Sequence, residues 1–231
     1  MMPSFTTPPL PDTPRSRRAL LGDALRRPGG RRGLSVLSLV LLVAGLGMFA
    51  YPNGTDAYSA IRQDRLKARF DNPAVAKAYK KREVPVGEGL TRLQLPKIGL
   101  DVLVVQGTTP DALRAGAGHY KDTPLPGEAG NVGIAGHRTT YGRPFNRLDE
   151  MHAGDVAVLE TPLGVYTYKA VGAFSGHANP WVVVPTDISV VDQDKKAHQL
   201  TLTTCNPKGS ARQRLVMRFT LMKSQPRPAK A

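Results

Sequence analysis

Between residues 91 and 223 the chain alternates short apolar-rich runs with clusters of turn formers. The runs "TRLQLP", "LDVLVVQG", "NVGIAGH", "DVAVLET", "GVYTYKAVGAFSGH", "QLTLTTC" and "RLVMRFTLM" are rich in Val, Leu, Thr and Tyr. Such side chains suit a pleated, half-buried surface, and the Pro, Gly, Asn and Asp between the runs interrupt it. "ETPLGVY" reads as a hairpin tip with Pro162 and Gly164 in the turn. "TPDALRAG" reads as one helical turn after Pro110, and "RPFNRLDEMHAGD" as a short helix from about Phe145 to Met151, closed by Gly154. Few helices and many short strands predict an all-β fold, a closed or nearly closed barrel of seven to eight strands.

Upstream the pattern is different. "LSVLSLVLLVAGLGMFAY", residues 34–51, carries no charge. As a helix it spans about 27 Å, close to the apolar thickness of a bilayer. A cleaved signal peptide has a shorter apolar region followed by a small-residue site; here "YPNG" follows, so the expectation is an uncleaved transmembrane anchor. Arg26, Arg27, Arg31 and Arg32 precede the span, and the first basic residue after it is Arg62. The positive-inside rule places the N-terminus in the cytoplasm and the rest of the chain outside a cell membrane crossed once. Residues 1–33, rich in Pro and Arg, read as a disordered basic cytoplasmic tail. Residues 52–90 read as an extracellular linker with one or two amphipathic helices, Ile61, Leu66 and Phe70 forming a loose stripe. Asp71-Asn72-Pro73 stops a helix or restarts one. The pattern leaves open whether this segment lies on a membrane or docks on the barrel. The barrel is expected over 91–223 and a second disordered tail over 224–231.

Charge adds little to this. The net +14 is spread along the chain: seven Arg against two Asp in 1–33, eight Lys/Arg against five acids in 52–90, and 17 against 11 in 91–231. No basic recognition helix, zinc-finger spacing or aromatic RNA-binding motif accompanies it, which argues against a nucleic-acid partner. A single cysteine excludes an intramolecular disulfide and a multi-cysteine zinc site.

That cysteine, Cys205, ends the strand "QLTLTT", and Pro207 stops the strand from continuing. Alone and outside the cell, it is packing filler, half of an intermolecular disulfide, or a nucleophile. A thiol nucleophile reacts as the thiolate and needs a partner, most simply a histidine. Five are available. Position favours His137, which also ends a strand-like run; His119 lies in a Gly-rich turn, His152 at a helix end, and His177 and His198 in loops. An oxyanion also needs a donor. Arg214 opens the next strand and would reach the same rim, but Arg212 and Arg218 share its strand parity.

"TLTTC" with an arginine nine residues on, together with "IAGHR", resembles the sortase family of cysteine transpeptidases over about residues 90–223. "GHRTTYGRPFNRL" and "TLTTCNPKGSARQR" are most similar to class E sortases of high-GC Gram-positive bacteria. The resemblance implies Cys205 as nucleophile, His137 as general acid/base and Arg214 as oxyanion and substrate-backbone clamp. It also implies that Thr204 lines the scissile site and that Tyr120 lies near the substrate's second position. Implied partners are secreted proteins with an LPXTG-like sorting signal, with LAXTG favoured, and an amine of a cell-wall precursor or, alternatively, a pilin. No cofactor or metal is implied. The chain departs from its relatives at Asn206, where they often carry His, and at Gly209, where they often carry an aromatic. Two other readings compete. An L,D-transpeptidase needs His two residues before the cysteine, where Thr203 stands; a non-catalytic membrane-tethered binding barrel would leave Cys205 unreactive.

Overall fold

The structure is a computed structural model and describes residues 28–226. Of the tails expected over 1–33 and 224–231, residues 1–27 and 227–231 lie outside the described residues, whereas 28–33 are helical and 224–226 belong to the last strand. Two units are distinguished, one ending at Ala50 and one beginning at Tyr51. The first contains the apolar part of helix α1 (Pro28–Phe70). Its best 18-residue window has a mean hydropathy of 2.3, and α1 is the one helix among the described residues long and apolar enough to cross a bilayer.

The second unit is built on eleven strands. These are β1 (Gly89–Leu95), β2 (Leu100–Gln106), β3 (Ala117–His119), β4 (Gly130–Ala135), β5 (Val156–Glu160) and β6 (Gly164–Ala170), then β7 (Ala173–Phe174), β8 (His177–Ala178), β9 (Trp181–Val183), β10 (His198–Asn206) and β11 (Gln213–Pro226). Hydrogen bonding runs β10-β4-β3-β2-β1-β5-β6-β11, and β11 pairs back onto β10. Eight strands therefore close into a barrel, as the strand spacing predicts. Closure removes the unpaired edges that an open sheet would expose. The short strand β9 is added outside the ring, on β11.

Alternation selects what faces inward. Leu200 and Leu202 on β10, Val132 and Ile134 on β4, and Leu215, Met217 and Phe219 on β11 all enter one buried core. The intervening residues face outward, yet many are also buried, because residues 171–197 fold back over that wall. Arg218 pins this excursion. It is 1% exposed, and its guanidinium donates to Gln199 Oε1 and to the Val190 carbonyl, 2.9 Å away. It also lies 4.0 Å over the Phe174 ring. Burial lowers its pKa to about 10. Sequence parity had left Arg218 as a candidate for the same rim as Arg214; it is a structural hub instead.

Helix α1 continues past the apolar run, and its later part docks on the barrel. Thr55, Ser59, Gln63, Leu66 and Phe70 are buried at helical spacing. Leu66 and Phe70 pack on Leu103 and Val105 of β2. The Gln63 amide bonds the backbone of Leu103 in both directions and also donates to the Ala115 carbonyl. Ile61, expected on the stripe, is exposed instead; the buried face is carried by polar residues near its beginning, which hydropathy does not reveal. Asn72 does both things expected of it: α1 ends before it, and it caps α2 (Pro73–Lys81) by accepting from the Ala74 amide. The turn after Pro110 is helix α3 (Pro110–Arg114).

The helix expected over 145–151 shortens to a 3-10 turn at Leu148–Glu150. Phe145 leaves helical register because its ring fills the core beneath Gly136, where an added Cβ would stand 2.7 Å from it. Its amide donates to the His137 carbonyl at 3.1 Å. Replacing Phe145 with Ala is expected to lower stability by about 3–5 kcal/mol, read as a reduced urea midpoint.

Candidate active site

Strand β10 is bonded on both sides. Against β4 its six parallel partners keep one offset, from His198↔Gly130 to Thr203↔Ala135, a difference of 68 throughout. The contact persists beyond the strand, where the Gly136 amide donates to the Thr203 carbonyl at 3.1 Å and the Thr204 hydroxyl donates to the Gly136 carbonyl at 2.8 Å. His137 follows Gly136 directly, beyond the end of β4. On the other side Cys205 pairs directly with Arg214, and Arg214 pairs with Val183 of β9. Cys205 and Arg214 thus share one rung, and His137 lies past the end of β4, directly after the Gly136 backbone that bonds β10. Residues opposite one another share a face, and here it is the outer one, since Leu202 and Ile134 point inward.

His137, Cys205 and Arg214 are each half-buried. His137 has its pKa lowered, first by burial and then by the nearby positive charge of Arg114. The imidazolium that does form is a stronger acid for it. The Tyr141 ring lies 5.1 Å from the imidazole, tilted by 39°. Arg214 donates from one guanidinium nitrogen to the carbonyls of Ala211 and Gln213, both at 3.0 Å, so its side chain folds over the β10–β11 turn.

Thr204 is buried with its hydroxyl committed to Gly136, and it holds the backbone ahead of His137 in place. Tyr120 packs over Gly133, and its hydroxyl meets Thr203 Oγ1 at 2.9 Å, one step along the outer face from Cys205. The remaining histidines lie elsewhere. His119 is on β3, buried rather than in a turn, and bonds Gln106 and the Pro124 carbonyl. His177 and His198 lie on strands β8 and β10, and His152 is exposed.

Arg138 escaped the sequence reading. Its side chain is only 4% exposed. It donates to the Cys205 carbonyl at 3.2 Å and to Asn206 Oδ1 at 2.6 Å, and it pairs with Asp149 at 3.0 Å. The Asn206 amide in turn donates to Gln213 Oε1 at 3.2 Å. An amide can accept on one side and donate on the other, so Asn206 ties Arg138 to β11 across the end of the strand. The signal was present as the charged residue directly after His137, but its partners lie about 68 residues away in sequence.

A cysteine paired with an arginine thus lies near the end of strand β10, and a histidine follows the neighbouring strand β4. The Sortase domain family matches residues 93–222. The chain is 30% identical to sortase D of Bacillus subtilis over 75% of this chain and 87% of that one. It is also 30% identical to sortase SrtE2 of Streptomyces coelicolor over 93% of each. Among solved structures it resembles a Clostridium perfringens sortase D5 transpeptidase (TM-score 0.61, 26% identity, 72% of this chain and 99% of that one). It also resembles sortase E of Streptomyces avermitilis (TM-score 0.54, 32% identity, 62% and 93%). The chain belongs to the sortase family of cysteine transpeptidases.

Two outcomes are expected. NMR titration of His137 should give a midpoint below the ordinary value near 6.5, and Arg114→Ala should restore only part of the difference, because burial is the larger cause. His119 is also lowered, chiefly by burial. Both histidines therefore take up protons more readily in the unfolded chain, so stability held above about pH 6.5 should fall as pH drops through that range. Arg138→Ala should cost about 1–3 kcal/mol in urea denaturation, because the Cys205 carbonyl and Asn206 lose their donor.

Proposed function

We propose that this sortase cleaves an LPXTG-like sorting signal, LAXTG by preference, between Thr and Gly, and joins the protein to an amino group of a cell-wall precursor. Cys205 is the nucleophile. Its thiolate attacks the Thr carbonyl carbon, and the negative charge that builds on the oxygen is met by the Arg214 guanidinium. The C–N bond breaks as the His137 imidazolium gives its proton to the leaving glycine amine. A thioester on Cys205 remains. The incoming amine attacks it, His137 takes a proton from that amine, and the thiolate departs with the new amide formed.

The direct pairing of Cys205 with Arg214 is the observation that carries this reading, and it is supported by the bonds of Thr203 and Thr204 to Gly136, the residue before His137. The lowered pKa of His137 suits proton delivery to an amine. Val183 continues the rung beyond Arg214, with Val184 and Ile188 exposed beside it in sequence, and this apolar surface favours an extended substrate with aliphatic residues. Thr204 and Tyr120 are read as lining and shaping the groove from below and beside the thiol. The arginines before residue 34 support an anchor with its N-terminus in the cytoplasm and the barrel outside. Protein substrate and acceptor are then held at the same membrane face, which raises their effective concentration.

Incubation with an LAXTG peptide should add the acyl fragment to Cys205, seen by intact mass. Cys205→Ala should abolish the adduct. His137→Ala and Arg214→Ala should each lower kcat/KM by about 10³-fold or more. Retained cleavage by Cys205→Ala would overturn the reading.

A further inference from the structure

The loop after His137 takes a conformation that its own residues disfavour. Tyr141, Gly142 and Arg143 have φ of 53°, 76° and 47°, three left-handed residues in succession, of which only one is glycine. Such a run persists only where its surroundings hold it. Here the holder is the start of the docked part of α1. Asp56 Oδ1 accepts from the Gly142 amide at 2.8 Å, and Oδ2 pairs with the Arg143 guanidinium at 2.7 Å. One carboxylate therefore grips two of the three residues, and its side chain is 20% exposed. Thr55 Oγ1 accepts from the Tyr141 amide at 3.4 Å, and the Tyr58 ring meets the Tyr141 ring edge-on at 6.5 Å. The Tyr141 side chain also shares a hydrogen bond with Tyr51, and its ring lies against the His137 imidazole.

We propose that Asp56 of helix α1 is a positioning residue for His137, acting through the 141–143 loop and the Tyr141 ring. The helix that follows the apolar run is then part of the catalytic apparatus and more than a spacer. Asp56 touches no reacting atom; it sets the rotamer and burial of the imidazole by fixing the ring that lies over it. The proposal rests on the reading of His137 as the general acid. The charged and titratable groups that face the imidazole are Tyr141 on its own loop and Arg114 of α3, with Tyr51 and Tyr58 of α1 against Tyr141 in turn. Asp56 acts on none of them directly; its ion pair is with Arg143.

The test uses the full chain in detergent or bilayer nanodiscs, with Asp56→Ala and Asp56→Asn. Asp56→Ala removes both contacts, and misplacing a catalytic group by about an ångström can cost ~10²-fold. It is expected to lower kcat for LAXTG peptide cleavage by about 10- to 100-fold with KM little changed. The NMR midpoint of His137 should rise towards its ordinary value as the ring cover loosens. Asp56→Asn keeps an acceptor for the Gly142 amide and should recover most of kcat and of the midpoint. A His137 midpoint unmoved by Asp56→Ala overturns the proposal, whatever happens to kcat. Failure of the underlying reading shows differently, as turnover retained by His137→Ala.

Discussion

The site depends on strand β10 being hydrogen-bonded on both sides at a register that cannot slip. Side chains in a strand alternate with a period of two, so a shift of one residue against β4 or β11 would turn Leu200 and Leu202 out of the core and Cys205 into it. The apolar residues inside the barrel thereby set the direction of the thiol on its outer wall. The same register pairs Arg214 with Cys205 on one side and holds Gly136, the residue before His137, against Thr203 on the other. Thr204, buried on the inward side, adds a hydrogen bond to Gly136 at the point where β4 gives way to the histidine loop. Chemistry on the outside is aligned by packing on the inside.

Much of this was legible in the chain because it is local. The strand runs, the hairpin tip at Pro162–Gly164 and the cap at Asn72 all follow from neighbouring residues. Cys205 was legible as a strand-end thiol because Pro207 stands two residues on. What lay hidden is what depends on distant partners. Strand β3, only three residues long and glycine-containing, read as a turn around His119 because its order comes from β2 and β4. Ile61 has the hydropathy of a buried residue, but the helix presents Ser59 and Gln63 to the barrel because backbone carbonyls there need donors. Among Arg212, Arg214 and Arg218, spacing alone could not separate the one on the rung from the one in the interior; that distinction came from resemblance and then from the pairing of Arg214 with Cys205.

The basic composition also acquires a different meaning. Two of the arginines, Arg138 and Arg218, are buried and serve as multi-donor hubs rather than as surface charge. A guanidinium offers five donors in a rigid plane and keeps its charge at neutral pH, so it can join several carbonyls that no single amide could reach. Arg218 gathers the 171–197 excursion onto β11 using a carbonyl, an amide oxygen and an aromatic face, with the Asp192 charge favouring its own. Arg138 does the same for the end of β10, with Asp149 as its counterion. A tally of positive charge along the sequence overstates how much of it faces solvent.

The offset of 68 residues between β4 and β10 has a kinetic side. Contacts so far apart in sequence form only after a long loop has closed, and barrels rich in such pairings fold slowly. His137 and Cys205 belong to opposite ends of that loop, so the segments that carry them come together only when the wall is zipped. A chain still threading or collapsing carries an ordinary cysteine, without an aligned acid or cation beside it. On the reading of Cys205 as the nucleophile, its alignment is in this way conditional on completed folding.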